Sequence, residues 1–380
     1  MAVSSPLSSR HTVAALLTLT AVTGLVDAVS YLRLGRVFVA NMTGNVVFLG
    51  FSVDPRSGLS AAASLIAIAG FALGALAGGR AAHALAATRP AHWLAAAFSA
   101  EALILGLVAV LTSTGVLPFA GDGRFATIAV LAAALGVQNS TVRHLGAPDL
   151  TTTVLTLTLT GLVDAVSYLR LGRVFVANMT GNVVFLGFSV DPRSGLSATA
   201  SIVAVAGFIL GALAGGRAAH ALAAARPARW LAATLTAEAV VLGLVAVLTG
   251  SSVLPFAGNG RLATIAILAA ALGLQNSTVR HLGAPDLTTT VLTLTLTGLA
   301  ADSALAGGAG AKPHRRLGSV AAMLAGAAAG AGLLQWSPTA VIAIAAALVA
   351  TVAGAVMVLA AGPNQENPGP ASPRIAVAAA

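Results

Sequence analysis

Residues 23–61 read TGLVDAVSYLRLGRVFVANMTGNVVFLGFSVDPRSGLSA, and the same letters return without a change at residues 160–198. Asp27 becomes Asp164, an offset of 164 − 27 = 137 residues. A second identical pair, residues 138–162 and 275–299, keeps that offset. A period this long is not that of a solenoid. It is a tandem duplication of most of a domain.

Working outward, the two copies are spliced without a linker. The Thr-Leu-Thr-Leu-Thr-Gly-Leu run ending at Leu162 leads straight into Val163-Asp164-Ala165, the early segment of copy two. The same run ending at Leu299 continues instead into Ala300-Ala301-Asp302 and a section found once. The organisation read from this is a first unit over 1–159 that lacks a C-terminal section, and a nearly complete second unit over 160–361. A tail over 362–380, rich in Pro, Gly, Asn and Gln at its start, is expected to be disordered.

Composition fixes the environment. Of the 380 residues 57% are hydrophobic and 8% charged, and the mean hydropathy is +0.93, far from soluble usage. About 20 apolar residues cross a bilayer core. Apolar segments fall near 12–32, 37–53, 59–79, 93–114, 125–142 and 150–169, then 174–190, 196–216, 230–250 and 262–279, then 287–306, 317–335 and 338–361. A soluble bundle would need polar outer faces, which these segments lack. The fold class is therefore all-α, a polytopic transmembrane helical bundle with a 137-residue tandem repeat and roughly 11–13 membrane segments. Arg10 before the first apolar run resembles a signal peptide, but no cleavage pattern follows, so a retained first helix is expected.

The net charge of +9 calls for no nucleic acid. Its basic residues sit in short connections: Arg80, His83, Arg89 and His92; Arg217, His220, Arg226 and Arg229; Lys312, His314, Arg315 and Arg316. These read as cytoplasmic loops. Without cysteine there is no disulfide or thiolate metal site, and neither a metal nor a cofactor is expected.

Orientation poses a constraint. If five segments per period all crossed, the basic loops at 80–92 and 217–229 would face opposite sides, against the positive-inside rule. One segment per period is therefore expected to fall short of crossing. The polar Asn-Met-Thr-Gly-Asn segment, with Asn41, Thr43 and Asn45 and again Asn178, Thr180 and Asn182, suits a broken or re-entrant helix. Such backbone is tolerated at membrane depth only inside protein or along a wet cavity.

Polar residues inside apolar segments are costly and informative. Thr153, Thr156, Thr160, Asp164 and Ser167 are spaced three, four, four and three, one stripe of a helix. Thr20, Thr23, Asp27 and Ser30 repeat the idea. The stripe reads either as the lining of a solute or ion path, with Asp27 and Asp164 as ionisable centres, or as an interhelical seam. A second cluster holds Gln138, Asn139, Ser140, Thr141, Arg143, His144 and Asp149, repeated at Gln275, Asn276, Ser277, Thr278, Arg280, His281 and Asp286. Pro148 and Asp149 suit a helix start whose free N–H groups could receive an anion, or a plain interfacial loop. Glu101 and Glu238 lie deep in their helices, as an ion site or as a structural pair with a neighbouring Arg. Gly70, Gly74 and Gly78, matched by Gly207, Gly211 and Gly215, form small-xxx-small runs that let helices approach closely. No phosphate-loop, serine-nucleophile or intramembrane-protease signature is present, so an enzyme is not expected.

These words resemble a known family. Val26-Asp27-Ala28-Val29-Ser30-Tyr31-Leu32, Val37-Phe38-Val39-Ala40-Asn41-Met42-Thr43-Gly44-Asn45, Gln275-Asn276-Ser277-Thr278-Val279-Arg280, and Pro285-Asp286-Leu287-Thr288-Thr289-Thr290 are similar to the YoaK family of bacterial inner-membrane proteins, a domain of unknown function. The resemblance runs from about Val13 to Leu359. It implies multi-pass insertion in the bacterial cell (inner) membrane and one unit of six or seven helices per ordinary member, and it supplies no substrate. The bilayer is the expected partner, with either a homo-oligomer or an intrachain pseudo-dimer as the assembly. The expected activity is a small-solute or ion permease lined by the Asp, Asn and Thr residues. The rival is a non-transporting structural or regulatory membrane protein that uses the same residues as glue.

Overall fold

The computed structural model describes residues 22–85, 90–116, 121–143, 154–222, 227–281, 296–297, 299–300, 303–306 and 313–360. Thr153, Asp286 and the C-terminal tail lie outside them, as do the side chains of Glu101, Arg143 and Thr156. Among the described residues the secondary structure is entirely helical. The first unit contributes α1 (residues 22–33), α2 (Met42–Phe51), α3 (Ala61–Leu85), α4 (Pro90–Ser113) and α5 (Gly123–Arg143). The second repeats them as α6 (Val154–Arg170), α7 (Met179–Phe188), α8 (Ala198–Leu222), α9 (Pro227–Gly250) and α10 (Gly258–His281). Only the second continues into α11 (Pro313–Leu333) and α12 (Pro338–Ala360).

The chain is a multi-pass transmembrane bundle. Ala61–Ala84, Ala198–Ala221 and Arg229–Gly250 are each long and apolar enough to cross a membrane. Within a unit the tightest pairing joins α3 to α5 and α8 to α10. A Cβ on Gly70 would stand 2.7 Å from the Ala129 carbonyl oxygen, and one on Gly74 would run into the Ala133 carbonyl. Gly207 and Gly211 meet Ala266 and Ala270 in the same way. In lipid there is no hydrophobic drive to pair helices, so this close backbone approach is what holds them.

Helices α2 and α7 do not cross. Ten residues make about 15 Å of helix, half the hydrocarbon thickness. The chain enters and leaves this segment on one face. Arg36, just before α2, has its guanidinium 3.3 Å from where a Cβ of Gly58, just after α2, would stand. Arg173 before α7 likewise donates to the Ser194 carbonyl after it, at 3.4 Å. Each period thus holds one short helix that turns back beside its longer ones, which sets α6 in the direction of α1 and the units parallel.

The units meet about a pseudo-twofold axis. The chain's two tyrosines, Tyr31 and Tyr168, place their hydroxyls 2.8 Å apart across it. The ring contacts around them are reciprocal, as an isologous interface requires. Tyr31 to Phe185 and Tyr168 to Phe48 are both 5.0 Å between centroids, and Tyr31 to Phe188 and Tyr168 to Phe51 are 5.6 and 5.5 Å.

Candidate functional site

The re-entrant segment is built on an aspartate. An extended backbone turn at membrane depth exposes N–H groups that no water can satisfy, each a cost of several kcal/mol if left alone. Asp27, 2% exposed in the middle of α1, answers three of them. Its Oδ1 accepts from Val39 (2.8 Å) and Ala40 (2.9 Å), and its Oδ2 from Asn41 (3.2 Å). Asn41 then caps α2, its Oδ1 accepting from the Gly44 N–H. Asn45 reaches back to Phe38, accepting from its N–H at 2.9 Å and donating to its carbonyl at 2.6 Å. Gly44 leaves room for the Phe38 ring, which a Cβ would meet at 2.5 Å.

Copy two repeats this in detail. Asp164 accepts from Val176, Ala177 and Asn178 at 2.8, 3.0 and 3.3 Å. Asn178 caps α7, and Asn182 clamps Phe175 at 2.9 and 2.6 Å. Among the sequence candidates, the structure therefore gathers Asp27, Asn41 and Asn45 into one cluster and Asp164, Asn178 and Asn182 into another. Thr43 is buried, whereas its counterpart Thr180 is exposed.

The amide cluster goes elsewhere. Gln138 on α5 accepts from the Thr23 hydroxyl at 3.1 Å, while its Nε2 has no partner. Asn139 accepts from Thr297 at 3.4 Å. Thr160 and Asn276 are buried. In copy two Glu238 on α9 is 1% exposed, and neither carboxylate oxygen makes a hydrogen bond. The polar group beside it is Gln275 on α10, near enough for its side chain to act on the carboxyl, and the Gln275 Oε1 lacks a partner. An arginine partner for Glu238 is absent among the described residues. In a membrane interior such orphaned polar atoms call for a water, an ion or a substrate. Among the described residues no group of His, Asp or Glu could hold a metal.

Sequence reasoning passed over two features. One is the Tyr31–Tyr168 contact, signalled only by the 137-residue offset between the chain's sole tyrosines. The other is the set of arginines on the re-entrant face: Arg36 and Arg173 both hold left-handed backbone at φ 57°. Gly35 and Gly172 beside them admit the guanidiniums of Arg124 and Arg261 at 2.9 and 2.7 Å from where a Cβ would stand.

Comparison with known proteins fits this doubled architecture. The profile described as "Protein of unknown function (DUF1275)" matches twice, over residues 15–162 and 157–355. The chain belongs to the DUF1275 family. A curated relative in that setting is the UPF0700 transmembrane protein YoaK of Bacillus subtilis (strain 168), 34% identical over 167 residues, which is 44% of this chain and 69% of the relative. No solved structure matches. Two matches in one chain make this DUF1275 protein a covalent pair of family units, the second carrying a C-terminal section that the first lacks.

Proposed function

We propose that this protein is a small-solute or ion permease of the bacterial cell (inner) membrane, with no cofactor and no chemical step. The observation that carries the reading is the orphaned pair Glu238 and Gln275. A carboxylate and an amide buried between α9 and α10 with unused hydrogen-bonding atoms fit a polar path better than a sealed core. The paired re-entrant segments support it, because irregular backbone at membrane depth is a recurrent way of building solute sites. In this reading Asp27 and Asp164 shape the path by fixing α2 and α7, and Gln138 and Gln275 face it.

The rival reading, a non-transporting structural or regulatory membrane protein, also has an observation in its favour. The carboxylates of Asp27 and Asp164 and the amides of Asn45 and Asn182 are engaged with backbone, which is what glue looks like. The test is water access. In this cysteine-free chain, Gln275→Cys should react with a small charged thiol reagent in intact membranes while Leu272→Cys, buried one turn away, stays silent. If both stay silent, the permease reading fails and the rival stands.

A further inference from the structure

On the re-entrant face, a cavity of about 650 Å³ opens at the junction of the two units. Its walls carry Arg36 and Arg56 from the first unit and Arg170, Arg173 and Arg261 from the second, with Ser57 between them. Among the described residues no acidic side chain lines it. Two of the aspartates on this face are used locally: Asp54 accepts from the Arg56 N–H at 3.0 Å and Asp191 from the Arg193 N–H at 2.9 Å. Five guanidiniums around one cavity repel one another unless an anion joins them.

Their remaining donors are only partly used. Arg170 donates to the Leu334 carbonyl at 2.7 Å and Arg173 to the Ser194 carbonyl at 3.4 Å, each guanidinium having five N–H groups to give. The Arg261 Nε is buried without a partner. Arg36 and Arg173 sit at φ 57°, a conformation that a long side chain adopts only when its surroundings impose it. Copy divergence falls at the same place: the first unit has Asp122 two residues before Arg124, where the second has Asn259 before Arg261. The second unit's version thus has an amide where the first has an acid beside its arginine.

We propose that this pocket binds a phosphate-bearing anion, gripped by the guanidiniums of Arg173 and Arg261 with Arg36, Arg56 and Arg170 around it. Guanidiniums match phosphate oxygens in pairs, and the volume suits a headgroup-sized ligand. The site needs both units, so a single family unit would supply only half of it. It stands apart from the permease reading and does not depend on it.

The full-length chain with Ser57→Cys as its only thiol tests this. Maleimide labelling is timed in neutral detergent with inorganic pyrophosphate, and in nanodiscs of phosphatidylglycerol or of phosphatidylcholine alone. Either pyrophosphate in detergent or phosphatidylglycerol in nanodiscs is expected to slow labelling. Slowing by the first identifies a free anion as the source, and by the second alone a lipid headgroup. Arg173→Gln and Arg261→Gln should each weaken that protection about tenfold, the worth of a charge-assisted bond. If Arg261→Gln fails to fold, Arg56→Gln, exposed at the rim, carries the same expectation. The proposal is overturned if neither probe protects. It is equally overturned if sodium chloride at matched ionic strength protects as well, or if the arginine variants are protected like the parent.

Discussion

The two copies of the first helix, α1 and α6, share their sequence from Thr23 and Thr160 onward and differ in what stands beside them. In α6, a Cβ on Gly161 would be 2.5 Å from the Met323 carbonyl of α11, and Leu162 is 3% exposed. In α1, a Cβ on Gly24 would have none of the described residues within 4 Å, and Leu25 is 67% exposed. The short helices show the reverse pairing. Gly50 of α2 lies against Ala327 of α11, whereas a Cβ on Gly187 of α7 would meet none of the described residues. By the pseudo-twofold, α11 fills a groove between α6 and α2, and among the described residues nothing fills the equivalent groove between α1 and α7. Likewise α12 covers α9, where Ala239, Leu242 and Ala246 are buried, while the matching face of α4 carries exposed Ala102 and Ala109. Identical letters thus hold two environments because the first unit ends before its C-terminal section.

This contrast is easy to break. The largest effect is expected at the closest contact. Gly161→Leu should destabilise by about 3 kcal/mol through overpacking, and Gly24→Leu should be neutral. Denaturant titration of the detergent-solubilised protein reads both, and equal losses would mean that the two grooves are alike. Next, Leu162→Ala should cost about 2.5 kcal/mol by leaving a cavity, whereas Leu25→Ala should leave the same titration unmoved.

The third substitution sharpens the contrast by showing where the copies agree. Asp27→Asn and Asp164→Asn each weaken three backbone bonds and turn one acceptor into a donor. Each should cost about 2 kcal/mol, by the same titration and to the same extent. A large loss in one and none in the other would show that only one re-entrant segment is held this way. Smallest is the axis itself. Tyr31→Phe should cost about 1 kcal/mol, and adding Tyr168→Phe should cost little more, since the first change already removes the shared hydroxyl bond. Additive losses in a double-mutant cycle would place the two tyrosines apart.

Much of this was legible before any coordinates. The repeat and the apolar segments gave two similar helical units with one short segment each, and Asn41, Thr43 and Asn45 marked which one. The small-xxx-small glycines marked the α3–α5 and α8–α10 contacts. What stayed hidden was what each polar residue touches. A carboxylate twelve to fourteen residues from its backbone partners, as Asp27 is from Val39, Ala40 and Asn41, has no periodic signature, so a lining residue and a scaffold residue look the same in sequence. The arginine pocket was hidden for a related reason. Arg56 and Arg261 are far apart in the chain and converge only because the units dock about the Tyr31–Tyr168 axis.

The central claim is that two parallel units each carry four crossings and one re-entrant segment. Single-cysteine labelling in sealed membranes tests it most directly, with His83→Cys and His220→Cys on one face and Ser57→Cys and Ser194→Cys on the other. Parallel units require the two histidine positions to label from the same side and the two serine positions from the opposite side. Labelling of His83→Cys and His220→Cys from opposite sides would contradict the account, because α2 and α7 would then have to cross.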